Sequence, residues 1–248
     1  MRRHPWPLRV VVAALLLGAV VAAARTASAS GATLMLWPID PVIEASSKGA
    51  AVWLENRGTA PLTLQVRVVG WTARNYTDDY VEAQRLVVAS PPMATIAAGQ
   101  RQLVRLMRVG PVPAGREAAF RVFIDEIPQA PSADAPAPDV AMGVAFRMRY
   151  SLPLFVYGPG AGRHKGEPDI KWRILEGDGR RWLEVRNDGP VHAKLTNVRL
   201  AAAGLPASTF SVTRGLLGYV LPGAEMRWPI PDAVPGDQFV SLETGNDQ

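Results

Sequence analysis

Val140-Ala141-Met142-Gly143-Val144-Ala145-Phe146-Arg147-Met148-Arg149-Tyr150-Ser151-Leu152 alternates with a period of two. Met142, Val144, Phe146, Met148, Tyr150 and Leu152 share one face, which is large and apolar. Ala141, Gly143, Ala145, Arg147, Arg149 and Ser151 share the other, which is small or charged. Such a period puts successive side chains on opposite sides of an extended strand. The run continues to Val156 and ends in the breaker stretch Tyr157-Gly158-Pro159-Gly160-Ala161-Gly162. Before it, Pro128 to Asp139 carries four prolines and almost nothing to bury, the composition of a mobile loop.

The same grammar holds outward in both directions. Ala51 to Asn56, Leu62 to Val69, Gln102 to Leu106 and Phe120 to Ile124 are short apolar or alternating runs. They are separated by Asn56-Arg57-Gly58, Ser90-Pro91-Pro92, Ala98-Gly99 and Pro113-Ala114-Gly115, where glycine supplies positive φ and proline fixes φ. Helical periodicity is nearly missing, so the chain reads as an all-β sandwich. Beyond Gly162, Trp172 to Leu175, Arg181 to Val185, Ala193 to Leu200 and Glu225 to Trp228 again read as strands, with Asn187-Asp188-Gly189-Pro190 as a turn. This predicts a first domain over 30–159 and a smaller β-sandwich domain over 160–248. Glu55-Asn56-Arg57-Gly58 and Arg186-Asn187-Asp188-Gly189 echo each other; similar sandwiches and ordinary turn chemistry both account for the echo.

The N-terminus has a basic segment (Arg2, Arg3, Arg9), an apolar run from Val10 to Ala24, and Ala27-Ser28-Ala29. That order is the pattern of a cleavable secretory signal over residues 1–29. The apolar run falls short of the ~20 residues that a bilayer span needs, so no stable membrane insertion is expected after cleavage. The segment holds four of the 27 basic residues and none of the 22 acidic ones, so its removal takes the formal charge from +5 to +1. A near-balanced chain has no electrostatic footprint for nucleic acid. Cysteine is absent, so an exported chain of this kind must rely on burial and backbone pairing.

Catalytic constellations are not found. Of three histidines, His4 lies in the signal segment, while His164 and His192 lie in a linker and after a turn. No thiol or histidine pair has metal-ligand spacing, no serine has a nucleophile-elbow context, and no glycine-rich phosphate loop joins a strand to a helix. Asp78-Asp79 and Asp125-Glu126 read as surface or turn carboxylates rather than an acid/base pair. Trp53, Trp71, Trp172, Trp182 and Trp228 occur one per strand, as sandwich core does. No enzymatic activity, cofactor or metal is expected.

Several stretches resemble one family in one order: Asp40-Pro41-Val42-Ile43-Glu44, Val52 to Asn56, Leu103 to Leu106, Arg116-Glu117-Ala118-Ala119-Phe120-Arg121-Val122-Phe123-Ile124-Asp125-Glu126-Ile127-Pro128, and Arg149 to Val156. Together they resemble the PapD-like periplasmic pilus chaperones, in particular the branch serving spore-coat-protein-U-like pili. The resemblance implies two immunoglobulin-like β-sandwich domains set at an angle, a periplasmic location, and pilin-like subunits as partners. It also implies donor-strand complementation, in which the chaperone lends a strand to a subunit until an outer-membrane usher exchanges it. The rival is an exported β-sandwich adhesin or structural pilus component.

On that resemblance the lending residues are Met142, Val144, Phe146, Met148 and Tyr150. On the residues alone, the default reading of the same face is cover for the chain's own core. The resemblance also implies a cationic anchor for the subunit's C-terminal carboxylate, carried in the family by an Arg in the first strand and a Lys in the strand entering the cleft. The matching positions here are Asp40 and Pro153. Arg121, Arg147 and Arg149 are the substitutes; Arg121 ranks first because it sits between Phe120 and Val122, although a solvated strand face explains it equally well. Arg116 and Glu117 form a candidate ion pair near the domain junction.

Overall fold

The computed structural model describes residues 34–127, 147–163, 165–177, 179–202, 205–232 and 239–243. The first ten strands are β1 (Leu34–Trp37), β2 (Val42–Ile43), β3 (Gly49–Asn56), β4 (Leu62–Arg74), β5 (Thr77–Val81), β6 (Val87–Ser90), β7 (Met93–Ile96), β8 (Arg101–Arg108), β9 (Glu117–Ile127) and β10 (Arg149–Tyr157). They form two sheets. One has the order β1-β3-β8-β6; the other has the order β2-β10-β9-β4-β5, with β7 also pairing β4. Between them lies a core that includes Val52, Leu54, Leu64, Leu106, Val122, Ile124 and Leu154. Each such side chain contributes about 2 kcal/mol by leaving water, and the burial of β3 and β9 at alternate positions is the sequence period made physical. On β3 the inner positions are Val52, Leu54 and Asn56. Trp53 therefore points outward, 39% exposed and stacked on Trp37, rather than into the core.

The remaining strands are β11 (Ile170–Gly177), β12 (Arg180–Asn187), β13 (Ala193–Thr196), β14 (Arg199–Ala202), β15 (Leu205–Ser211), β16 (Leu216–Val220), β17 (Glu225–Pro229) and β18 (Phe239–Glu243). They make small sheets β11-β12-β17, β13-β16 and β15-β14-β18. Leu183, Val185, Leu195, Val198, Leu200 and Val220 fill a second core. No strand of this group pairs with the first ten among the described residues. The chain leaves β10 through Gly158, whose backbone lies so close to the β8–β9 connection that a Cβ would meet the Pro113 carbonyl oxygen at 1.9 Å. Only glycine fits there, and its N–H donates to the Arg116 carbonyl at 2.9 Å.

The echo between the two Asn-x-Gly segments has a structural content beyond turn chemistry. Asn56 and Asn187 are both fully buried. Asn56 donates its amide to the Ala60 and Ile96 carbonyls while its Oδ1 accepts the Gly58 N–H. Asn187 donates to Val191 and Val220 and accepts from Gly189, with a further bond from the Asp169 N–H. The backbone repeats as well: Asn56 exchanges bonds with Gln100 and Gly99, and Asn187 with Ala224 and Gly223. Gly99 and Gly223 have φ of 71° and 72°. One buried carboxamide thus closes the same corner in each domain.

The two cores meet through a third cluster of Trp71, Phe155, Tyr157 and Ala161 with Val191, Leu221 and Ala224. The β4–β5 hairpin adds a second tie. Its central residues Asn75 and Tyr76 both have positive φ, 50° and 64°, which gives a two-residue turn that matches strand twist. A left-handed tyrosine costs roughly 1–2 kcal/mol. Offsetting this, the Tyr76 hydroxyl donates to Glu184 at 2.8 Å, and Arg227 lies 4.8 Å over the Tyr76 ring.

Two outcomes are expected. Asn56→Ala or Asn187→Ala orphans two backbone carbonyls at once and should cost about 3 kcal/mol; Asn→Asp should do no better, because a carboxylate cannot donate. Urea unfolding measures this, and a cost under about 0.5 kcal/mol would contradict the corner's role. The second concerns Glu184. Burial pushes its carboxyl up, but hydrogen bonds from Arg173 and Tyr76 outweigh that and hold it below the usual range. A carboxylate lowered in the folded state stabilises above its unfolded value of about 4.3 and loses this as pH falls through the folded value. Stability should therefore be flat at neutral pH and fall below about pH 4, and Glu184→Gln should flatten part of that fall.

Candidate functional site

β10 has one committed edge and one open edge. All nine residues pair antiparallel with β9, whereas only Phe155 and Val156 pair with β2 on the other side. From Arg149 to Leu154 the second edge meets no strand among the described residues. Pro153 lies in this open stretch, and proline, lacking an N–H, is confined to such edges. The faces of β10 are both used lower down. Leu152, Leu154 and Val156 enter the first core, while Phe155 and Tyr157 enter the junction between the domains.

Of the expected lending residues, Met142, Val144 and Phe146 lie outside the described residues. Met148 is 46% exposed, just above the strand, and Tyr150 is half-buried against the first core. The apolar face therefore passes from solvent at Met148 into the chain's own core at Leu152 within one strand.

The three candidate anchors differ sharply. Arg147 is exposed. Arg149 is held by Asp125, which also takes Arg67 at 3.0 Å, and both guanidinium groups flank the Phe123 ring at 5.4 and 5.6 Å. Burial pushes the Asp125 carboxyl up, yet the bonds from Arg149 and Arg67 leave it below the usual range. These arginines are neutralised. Arg121 is directly opposite Pro153 in the β9–β10 register, on the outer face. Its guanidinium lies 3.7 Å from the centroid of the Trp71 ring and 5.6 Å from that of Tyr219. Its Nε is buried without a hydrogen-bond partner, and no carboxylate among the described residues forms an ion pair with it. The nearby carboxylate of Asp78 is committed to neutral donors, the Trp71 indole N–H at 2.8 Å and the Tyr80 hydroxyl at 3.2 Å. Burial, then Asp78, pushes that hydroxyl up, and Arg121 opposes the shift.

The contact that Glu117 makes at the junction differs from the expected ion pair. The partner of Glu117 is His192 of the second domain, not Arg116. The Glu117 carboxylate is fully buried, accepts the His192 backbone N–H, and lies 2.8 Å from His192 Nδ1. The imidazole stacks flat on Phe155 with centroids 3.5 Å apart. Burial and then Glu117 drive the neighbouring Tyr157 hydroxyl far up. Trp71, Tyr219 and His192 were not legible as site residues. Only tertiary packing, which sets β16 of the second domain against the sheet that holds β4, β9 and β10, unites them.

The chain as a whole is similar to known proteins. The family described as pili and flagellar-assembly chaperone, PapD N-terminal domain, matches residues 40–161. A probable fimbrial chaperone, YadV of Escherichia coli K12, is 29% identical over 187 residues, covering 71% of this chain and 72% of its own length. A chaperone–tip subunit pre-assembly complex, CsuC–CsuE from the archaic Csu pili of Acinetobacter baumannii, contains a chain 31% identical, with TM-score 0.65 over 83% of this chain and 90% of that one. The SafA pilin–SafB chaperone complex of Salmonella enterica matches in fold alone, at 18% identity and TM-score 0.55, over 80% of this chain and 84% of that one. An all-β chain of two immunoglobulin-like domains with these relatives belongs to the PapD-like family of pilus-assembly chaperones.

Proposed function

We propose that this chain is exported by its first 29 residues and works in the periplasm as a carrier of pilin-like subunits. In this reading residues 30–159 are the capturing domain and residues 160–248 the supporting one. The observation that carries it is the open edge of β10 beside a guanidinium that has no carboxylate partner among the described residues. A subunit lacking a strand adds its own edge to β10; backbone hydrogen bonds supply affinity, and pockets for alternate side chains supply selectivity. Met142, Val144, Phe146, Met148 and Tyr150 fill the subunit's open groove. Arg121 takes the C-terminal carboxylate, with Arg147 and Arg149 as the weaker candidates. A guanidinium in a partly dry cleft binds a carboxylate strongly and in a defined plane.

With Arg121 as anchor, one direction of pairing is favoured. It sits level with Pro153, towards the C-terminal half of β10, while the lending residues lie N-terminal to it. A subunit strand with its terminus at Arg121 must therefore run the same way as β10. Parallel pairing of this kind completes a sheet edge without matching the order of an ordinary immunoglobulin strand, which leaves room for later replacement at an outer-membrane usher. Both steps rest on binding alone and require no catalysis or cofactor.

Co-expression with pilin-like subunits from the same source, followed by copurification from the periplasm, tests the reading. Phe146→Asp and Met148→Asp should each abolish capture while thermal unfolding stays unchanged; normal capture by both would refute the lending strand. Arg121→Ala should weaken an intact subunit roughly 10- to 100-fold and leave one lacking its terminal residues unaffected. Equal loss for both would remove Arg121 as anchor. Deleting residues 1–29 should retain the protein in the cytoplasm, and continued export would overturn the signal assignment.

A further inference from the structure

We propose that Tyr219, on the second domain, is a positioning residue for carboxylate recognition, so that the anchor is built by both domains. This rests on the assignment of Arg121 above. The Arg121 guanidinium occupies a corner between two rings, Trp71 from β4 and Tyr219 from β16, which meet edge to face at 5.5 Å and 80°. Asp78 fixes the Trp71 ring through the indole N–H. Tyr219 is fixed in turn by tilted contacts with Phe155 and His192, both at 5.8 Å.

Stacking uses the faces of a guanidinium and leaves its in-plane N–H groups pointing from the rim. A carboxylate must approach in that plane, where Nε has no partner. With Trp71 alone, the guanidinium could rotate about an axis across the ring while keeping its contact. The second ring, nearly perpendicular to the first, removes that freedom and keeps water from the same side. Arg121 is thereby oriented before a subunit arrives, which lowers the ordering cost of binding. His192 and the buried Glu117 secure the β13 side of the same junction. Discrimination of a terminal carboxylate should therefore depend on side chains that lie outside the capturing domain.

The test uses the purified full-length mature chain and two synthetic strand-forming peptides of alternating Val and Thr, one ending in a free acid and one in an amide. The unaltered chain should prefer the acid roughly 30-fold, the range of charge-assisted hydrogen bonds. Arg121→Gln should abolish the preference. Tyr219→Leu should reduce it about fivefold, the scale of a partly desolvated cation–π contact, with amide binding unchanged, and Tyr219→Phe should restore it. Preference retained in Arg121→Gln would overturn the anchor itself. Preference lost in Arg121→Gln but untouched in Tyr219→Leu would overturn only the role of Tyr219. Should Tyr219→Leu unfold the second domain, the unaltered chain decides. In the acid-peptide complex the Arg121 Nε–H resonance should move downfield and show magnetisation transfer to the Tyr219 ring, and its absence would refute the proposal.

Discussion

Nearly everything in this molecule depends on how β10 is shared. Its inner face holds Leu152, Leu154 and Val156 in the first core, its outer face holds Phe155 and Tyr157 in the domain junction, and one full edge is bonded to β9. The strand is thereby immobilised in its lower half. Among the described residues only the upper part of the second edge is left open, because β2 covers no more than Phe155 and Val156. Open edges are normally a hazard that proteins blunt with charge or proline. Here Arg149 and Pro153 stand along the edge, but Met148 above them is exposed. A rigid base with a sticky tip suits the proposed lending of this strand without unfolding of its owner.

The rigidity on the other side of the junction comes from repetition. The same buried carboxamide, at Asn56 and at Asn187, ties a strand end to a distant carbonyl and to a glycine two residues on. Each satisfies buried backbone groups that would otherwise cost roughly 1–3 kcal/mol apiece. In the second domain this corner lies at the junction itself, since Asn187 bonds Val191 and exchanges backbone bonds with Gly223 and Ala224. Val191 and Ala224 belong to the interdomain cluster. The fold device that closes each sandwich thus also presents His192 and Tyr219 to the first domain.

Strand alternation was readable because burial on one face imposes a period of two, and the all-β architecture followed from it. The Asn-x-Gly echo was visible too, but not its meaning, since nothing local says that a carboxamide is buried. Trp53 shows the limit of residue type: its parity places it on the outer face of β3, although tryptophan favours cores. Glu117 shows the limit of proximity in sequence. Arg116 is adjacent but follows the opposite parity, whereas His192 is brought in by the packing of another domain. Arg121 could be picked out as a cation between apolar neighbours. What bears on its proposed role is that its guanidinium sits in the corner between Trp71 and Tyr219, and that depends on how strands of two different sheets pack together.

The resemblance to pilus chaperones implies a lysine where this chain has Pro153. A proline there removes the expected cation, but the β9–β10 register puts Arg121 on the neighbouring strand at the same level and on the same side of the sheet. On the proposed assignment the cation is moved by one strand spacing, about 4.8 Å, not lost. The move changes its physics. A lysine on an edge strand is a flexible, strongly hydrated point charge, whereas an arginine on an internal strand, clamped between rings, is a planar donor with little freedom left to lose. On the proposed assignment, such an anchor gains geometric selectivity for a carboxylate by depending on the second domain, and the junction formed by Glu117, His192, Phe155 and Tyr219 takes part in subunit recognition rather than acting as a passive hinge.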